Sequence, residues 1–322
     1  MAFVWLNNAW VEESEATVPI RDTGLLHAAG LFTTMRSYDG RVFRLAQHLQ
    51  RLRASSEALF IPLQYKDSVL ASAMEELMRR NDVTDARLRL TVTRGAVQTD
   101  PLHGTRLTPT VFLTAAPLDP YPAEFYERGL TVILLDEQKL NPYDLQAGHK
   151  TLNYLSRLAG LCEANRRGAG EALWFSVHNY LQSGSISNVF LVKDRALITP
   201  PTRAEARDEP SVVLPGVTRA AVLEIARSLG IETRLSRIDV NQLLDADEIF
   251  LTNSIMQVMP VCRIERKPVG DEKPGVMTRR LSSALMDEIR RSTGGARDAR
   301  HAGDAADAGD TGDAGDRRGG DP

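Results

Sequence analysis

Three prolines within six residues, Pro117, Pro120 and Pro122 in the segment PLDPYPAEF, interrupt a chain that otherwise alternates between strand-like and helix-like patterning. Proline lacks an N–H and fixes its own φ, so such a cluster suits neither a helix interior nor a central strand. It predicts an interdomain linker over residues 117–126, a small N-terminal α/β domain over 1–116 and a larger domain over 127–293. At about 100–200 residues per domain, the chain is long enough for two units with separate cores.

In the first unit, FVWL-NN-AWVE reads as a hairpin turning at Asn7–Asn8, and LFTTMRSY-DG-RVFRL as a second turning at Asp39–Gly40. RLAQHLQRLRASSEAL and DSVLASAMEELMRR have helical periodicity, and RLRLTVTRG and TPTVFLTAA return to strand-like alternation. In the second unit, LTVILLDE, EALWFSV, SNVFLVKDRALITPP and DEIFLTNSIMQVMPVCRI read as strands. Helices follow Lys150 and occupy GVTRAAVLEIARSLGI and VMTRRLSSALMDEIRR. The class is mixed α/β (α+β). From Gly294 the chain holds no aliphatic residue larger than alanine, which predicts a disordered Gly/Asp/Ala-rich tail over 294–322.

A net charge of −3 gives no electrostatic attraction for nucleic acid. No apolar run approaches the ~18–20 residues of a membrane helix. The start MAFVWLNNAW lacks the features of a signal peptide. Two cysteines, Cys162 and Cys262, make no disulfide framework and lack metal-ligand spacing. The expectation is a cytoplasmic protein with a small-molecule substrate and no metal, nucleic-acid or membrane partner.

Four segments carry chemistry. In AGHKTLNYLSRLAG, Lys150 follows Gly148 and abuts a predicted helix N-terminus, whose partial positive charge would depress the pKa of an amine. In LPGVTRAAVLEIA, Pro215–Gly216 is a turn, and Val217 and Thr218 open a helix whose first N–H groups suit phosphate. In RLAQHLQRL, His48 and Arg51 share a helix face, and the guanidinium fork matches phosphate oxygens. In FLTNSIMQVMPV, a strand runs out at Thr252, Asn253 and Ser254, the kind of place where α/β proteins carry sites. Each segment alone also fits an ordinary reading: a solvated lysine, a capping threonine, exposed basic residues, a plain turn.

Taken together over about residues 3–292, these segments resemble the fold-type IV pyridoxal-phosphate enzymes. That family includes branched-chain aminotransferases, D-amino acid aminotransferases and aminodeoxychorismate lyases. GHKTLNYLSRLAG, GSISNVF, LPGVTR and FLTNSIMQVMPV stand in the family's order, with RLAQHLQRL before them. The resemblance implies a two-domain architecture, a pyridoxal 5'-phosphate cofactor, a homodimer and Lys150 as the Schiff-base lysine. It implies that Arg51, the Val217 and Thr218 amides and Ser254 hold the phosphate, with Tyr154 near the ring hydroxyl. Thr33, His103 and Asn253 are the expected substrate contacts.

Many relatives place a glutamate before Gly-Ser-x-Ser-Asn, where it pairs with the cofactor's ring nitrogen; here Ser183 stands at that position. A serine hydroxyl does not hold that nitrogen protonated, so the ring is a weaker sink for carbanion charge. That loss weighs on transamination more than on elimination. Phe32-Thr33-Thr34 and NSIMQVMPVC resemble the lyase branch as well. The expectation is therefore a lyase of folate synthesis that converts 4-amino-4-deoxychorismate to 4-aminobenzoate and pyruvate. The alternatives are a class IV aminotransferase acting on branched-chain or D-amino acids, and a cofactor-binding protein without catalysis. The segment between Thr199 and Leu214 reads as a charged surface insertion.

Overall fold

The computed structural model describes residues 2–100 and 104–294, so the expectations for His103 and for the tail from residue 295 lie outside the described residues. The N-terminal elements are β1 (Phe3–Leu6), β2 (Ala9–Glu12), α1 (Thr23–His27), β3 (Gly30–Tyr38), β4 (Arg41–Val42), α2 (Leu45–Ala58) and α3 (Asp67–Arg80). They continue with β5 (Ala86–Thr93), β6 (Ala96–Asp100), β7 (Gly104–Thr108) and β8 (Val111–Pro117). The first hairpin turns where expected, with φ of 48° at Asn7 and 71° at Asn8, a left-handed region that asparagine tolerates.

An antiparallel sheet runs in the order β2-β1-β8-β5-β3-β4, and β6 and β7 pair separately. Helices α2 and α3 cover one face, packing Leu49, Leu52, Met74 and Leu77 against Leu31, Met35, Leu88 and Leu90. Because successive side chains of a strand point to opposite faces, burying Leu88 and Leu90 puts Arg87 and Arg89 on the other face of β5.

The remaining elements are α4 (Ala123–Arg128), β9 (Leu130–Leu140), α5 (Leu155–Arg166), β10 (Glu171–Ser176), β11 (Leu181–Gly184), β12 (Asn188–Lys193) and β13 (Ala196–Thr199). After these come α6 (Val217–Ser228), β14 (Thr233–Leu235), α7 (Val240–Leu244), β15 (Glu248–Asn253), β16 (Gln257–Ile264), β17 (Lys267–Pro268) and α8 (Val276–Thr293). Strands form a mixed sheet in the order β11-β10-β9-β16-β15-β12-β13-β14, with β17 on β16; β9 lies parallel to both of its neighbours. Both faces are covered. Phe190 and Phe250, stacked at 4.9 Å, face α6 and α8, while Val189, Leu191, Ile249 and Leu251 face the opposite way. Among the described residues, no helix is long and apolar enough to cross a membrane.

The proline cluster does not produce a bare linker. Pro122 serves as the N-cap of α4, a place where its missing N–H costs nothing. Phe125 and Tyr126 of that helix pack on the second core, and the Tyr126 hydroxyl donates to the Met256 carbonyl at 3.2 Å.

Contacts at several points join the sheets. Arg44 bonds Glu224 at 2.7 Å and Glu288 at 3.0 Å, while Phe43 inserts beside α6 and α8. Closer to the cleft, the Phe32 N–H donates to the Lys150 carbonyl at 3.0 Å and the Leu152 N–H donates to the Gly30 carbonyl at 2.9 Å. Residue 30 has no room for a side chain: a Cβ there would lie 2.4 Å from Leu152 Cδ1 and 2.9 Å from the Val92 carbonyl oxygen. Gly30→Ala is expected to cost ~1–3 kcal/mol by overpacking. Urea unfolding should show a lower midpoint at unchanged slope; an unaltered midpoint would mean that the junction is looser than these distances indicate.

Candidate active site

A cavity of about 880 Å³ opens between the two sheets, with Lys150 on its wall. The pairing to β3 fixes the backbone of Lys150, and its Nζ lies 4.5 Å from the Phe32 ring centroid and 5.1 Å from that of Tyr154. Those rings meet edge to face at 5.4 Å. The Lys150 pKa falls to about 7, mostly because burial disfavours the charged amine and further because Arg51, Arg89, Arg157 and Arg87 repel it. The helix end is not the cause, since α5 begins only at Leu155. At neutral pH a large share of Lys150 is thus a free amine, able to act as a nucleophile or a base.

One end of the cavity is built for an anion. Helix α6 has Gly216 as its N-cap with no side chain capping it, which leaves the first N–H groups, including those of Val217 and Thr218, free of intrahelical partners. Glycine is required there: a Cβ on residue 216 would lie 2.0 Å from Asn188 Oδ1, and Asn188 Nδ2 in turn donates to the Leu214 carbonyl at 3.0 Å. Arg51 donates from Nη2 to Thr33 Oγ1 at 3.0 Å and from Nη1 to the Pro215 carbonyl at 3.3 Å. Burial lowers its pKa to about 10, so it stays cationic at neutral pH. Thr252 Oγ1 is buried on the cavity wall without a hydrogen-bond partner, a donor left for a ligand. These groups fit the phosphate of the expected cofactor.

The structure brings together most of the residues singled out in the sequence. Arg51, Lys150, Tyr154 and Ser183 line the cavity, as do Val217, Thr218 and Ser254. Asn253 also reaches it, but its amide is occupied: Oδ1 accepts from the Ile255 and Met256 N–H groups at 2.8 Å each, and Nδ2 donates to the Ile186 carbonyl. It shapes the turn instead of offering a free amide to a substrate. Thr33 is fully buried, because the alternation of β3 turns it inward and leaves Thr34 on the cavity wall. Its Oγ1 accepts from Arg51 and meets His48 Nδ1 at 2.9 Å. The imidazole in that bond is neutral, since burial, Arg51 and Lys150 all hold the His48 pKa well below its ordinary value. Thr33 and His48 position Arg51.

Other residues went unread. Arg87 and Arg89 line the cavity, and the alternation RLRL already put them on one face. The Arg89 guanidinium lies 3.7 Å from the Phe32 centroid. Arg157 Nη1 donates to Ser183 Oγ at 3.0 Å and to the Gly184 carbonyl at 3.1 Å, with its guanidinium 4.9 Å from the Trp174 ring. Behind this wall, the fully buried Glu171 accepts from the Ser185 N–H at 2.9 Å, the Ile186 N–H at 3.2 Å and Ser187 Oγ at 2.9 Å. Burial raises its pKa against the pull of those hydrogen bonds. Its signal was a lone acid opening the apolar run EALWFS. The insertion is anchored as well, Glu205 pairing at 2.7 Å with the buried Arg219.

The depressed pKa carries a stability consequence. Between about 7 in the folded chain and 10.5 in the unfolded chain, unfolding takes up a proton at Lys150, so the cofactor-free protein gains stability as pH rises through that window. Lys150→Met removes the buried amine. It should raise the melting temperature of the cofactor-free protein at pH 7, with the gap narrowing towards pH 10, and should abolish borohydride-fixed attachment of the cofactor. A melting temperature at or below wild type at pH 7 would contradict the assigned burial cost.

Residues 30–264 match the model of the amino-transferase class IV family. The branched-chain-amino-acid aminotransferase of Salmonella typhimurium is 31% identical over 289 residues, covering 88% of this chain and 91% of that protein. The D-alanine aminotransferase of Bacillus licheniformis is 29% identical, covering 89% of this chain and 96% of that protein. The crystal structure of the Escherichia coli branched-chain amino acid aminotransferase superposes with a TM-score of 0.81 at 29% identity, covering 89% of this chain and 94% of that one. These relatives overturn the expectation of an aminodeoxychorismate lyase in folate synthesis, because they are aminotransferases along nearly the whole chain. Ser183 in place of a glutamate therefore does not mark a lyase, and its hydroxyl is not alone, since Arg157 donates to it at 3.0 Å. With the fold, the anion end and a reactive lysine in one cleft, the chain belongs to the class IV aminotransferases and is a pyridoxal-phosphate enzyme.

Proposed function

We propose that the protein exchanges amino groups between a branched-chain L-amino acid and a dicarboxylic 2-oxo acid. The observation that carries this reading is the pairing, in one cleft, of Lys150, its pKa lowered to about 7, with Arg87 and Arg89 beside apolar Phe32, Leu152 and Ile255. The apolar wall suits an aliphatic side chain, and the arginines suit a second carboxylate. The identity to branched-chain aminotransferases supports the same choice. A second reading, D-amino acids as donors, is favoured by the likeness to a D-alanine aminotransferase.

Arg51, the first N–H groups of α6, Ser254 and Thr252 would grip the phosphate, and Lys150 would bond the aldehyde carbon between turnovers. When bound, the cofactor supplies an electron-withdrawing ring that takes up charge as the substrate Cα–H bond breaks. Lys150 Nζ removes the proton from that Cα and carries it across the cleft, which its lowered pKa allows near neutrality. Phe32 and Tyr154 pack about the amine, keep it from solvent and limit its swing. We also infer a homodimer, since Leu155 and Leu158 of α5 are 77% and 49% exposed and Leu25 and Leu26 are exposed in the single chain. A cytoplasmic location fits this reading.

Purified protein given 2-oxoglutarate and either L-leucine or D-alanine should form glutamate faster from L-leucine. Faster turnover of D-alanine would transfer the assignment to the second reading, and no glutamate from any amino acid would sink both. Arg89→Ala should raise the KM for 2-oxoglutarate by ~10–100-fold, the worth of a charged hydrogen bond, with far less change in the KM for leucine.

A further inference from the structure

The wall formed by the end of β11 presents hydrogen-bond donors and no carboxylate. Arg157 and Ser183 both line the cavity there, and the acid behind them, Glu171, turns its oxygens to the 185–187 loop. Among the described residues that line the cavity, Asp119 is the sole carboxylate, and it is exposed on the segment between Pro117 and Pro122. The cofactor's orientation follows from its two fixed points. Its phosphate belongs at the Arg51–α6 end and its aldehyde carbon at Lys150, and the ring nitrogen lies para to the carbon bearing the aldehyde. The nitrogen therefore points away from Lys150, and Arg157 and Ser183 stand on the cavity wall assigned to it here.

Arg157 is held for a task at that wall. Its Nη1 donates to both Ser183 Oγ and the Gly184 carbonyl, and its plane leans on Trp174. Nε and Nη2 have no hydrogen-bond partner among the described residues. A guanidinium has donors only, so any acceptor that it meets must bring a lone pair. Neutral pyridine nitrogen has one, and a protonated ring nitrogen has none.

We propose that Arg157, seated on Ser183, donates a hydrogen bond to the cofactor's ring nitrogen and holds it unprotonated. Burial, which already lowers the pKa of Arg157, and the Arg157 charge itself oppose a further positive charge at this end of the cleft, and Tyr154, whose own pKa is raised by burial, is neutral there. The proposal rests on the cofactor and on this wall, and is independent of which amino acid is the substrate.

The test loads full-length protein with cofactor labelled with nitrogen-15 in the ring and reads the resonance of that nitrogen. Wild type should resonate in the neutral-pyridine range, and a pyridinium resonance overturns the proposal. Arg157→Leu should move the resonance further downfield, as the hydrogen bond is lost, and should raise the dissociation constant of the cofactor roughly tenfold. A resonance that does not move in Arg157→Leu overturns the role of Arg157 even if the nitrogen is neutral. The double variant Arg157→Leu with Ser183→Glu should shift it upfield to the pyridinium range. If that variant fails to bind cofactor, the wild-type and Arg157→Leu spectra still decide.

Discussion

Two backbone hydrogen bonds, from Phe32 to the Lys150 carbonyl and from Leu152 to the Gly30 carbonyl, hold the cleft together. They turn a non-helical segment of the second unit into a short extension of the first unit's sheet. Through them one strand, β3, places Phe32 against the lysine and Thr33 behind Arg51, so the reactive amine and the anion end are registered by the same element. Bonds of this kind are individually worth about 1 kcal/mol, but here their geometry matters more than their strength. A lysine on a free loop would point to water, and its amine would keep a charge that the chemistry cannot use.

The electrostatics of the cleft follow from that placement. Arg51, Arg87, Arg89 and Arg157 converge on Lys150 from α2, β5 and α5, with little negative charge to balance them. Like charges gathered in one cavity are unfavourable by themselves, and functional sites often carry such strain. An anionic cofactor and a carboxylate substrate relieve it. Burial, aided by the same field, holds the His48 pKa low, and the ring shares a hydrogen bond with the threonine hydroxyl that accepts from Arg51.

Most of this was legible in the sequence because the phosphate end is built from local features. Gly216 before a helix, an arginine on a helix face and a lysine in a fixed motif all keep their meaning without tertiary information. The hairpins at Asn7–Asn8 and Asp39–Gly40 were readable for the same reason. What failed was long-range. Leu155 and Leu158 have helical spacing yet are exposed in the single chain, since periodicity marks a face but not what covers it. Thr33 and Thr34 differ only in the phase of a strand, and a one-residue ambiguity exchanges wall for core. Arg157 and Ser183 lie twenty-six positions apart, so no local pattern joined them.

Arg157 and Ser183 also constrain how this wall can change over evolutionary time. A glutamate installed alone at residue 183 would meet the guanidinium that now bonds the serine, and a carboxylate paired with arginine is no longer free for a ring nitrogen. Removing the arginine alone would leave a small hydroxyl facing a gap beside Trp174. The two positions are therefore coupled, and the effect of either substitution depends on which residue occupies the other. A lineage crossing from one arrangement to the other by single substitutions has to pass through an intermediate that suits neither.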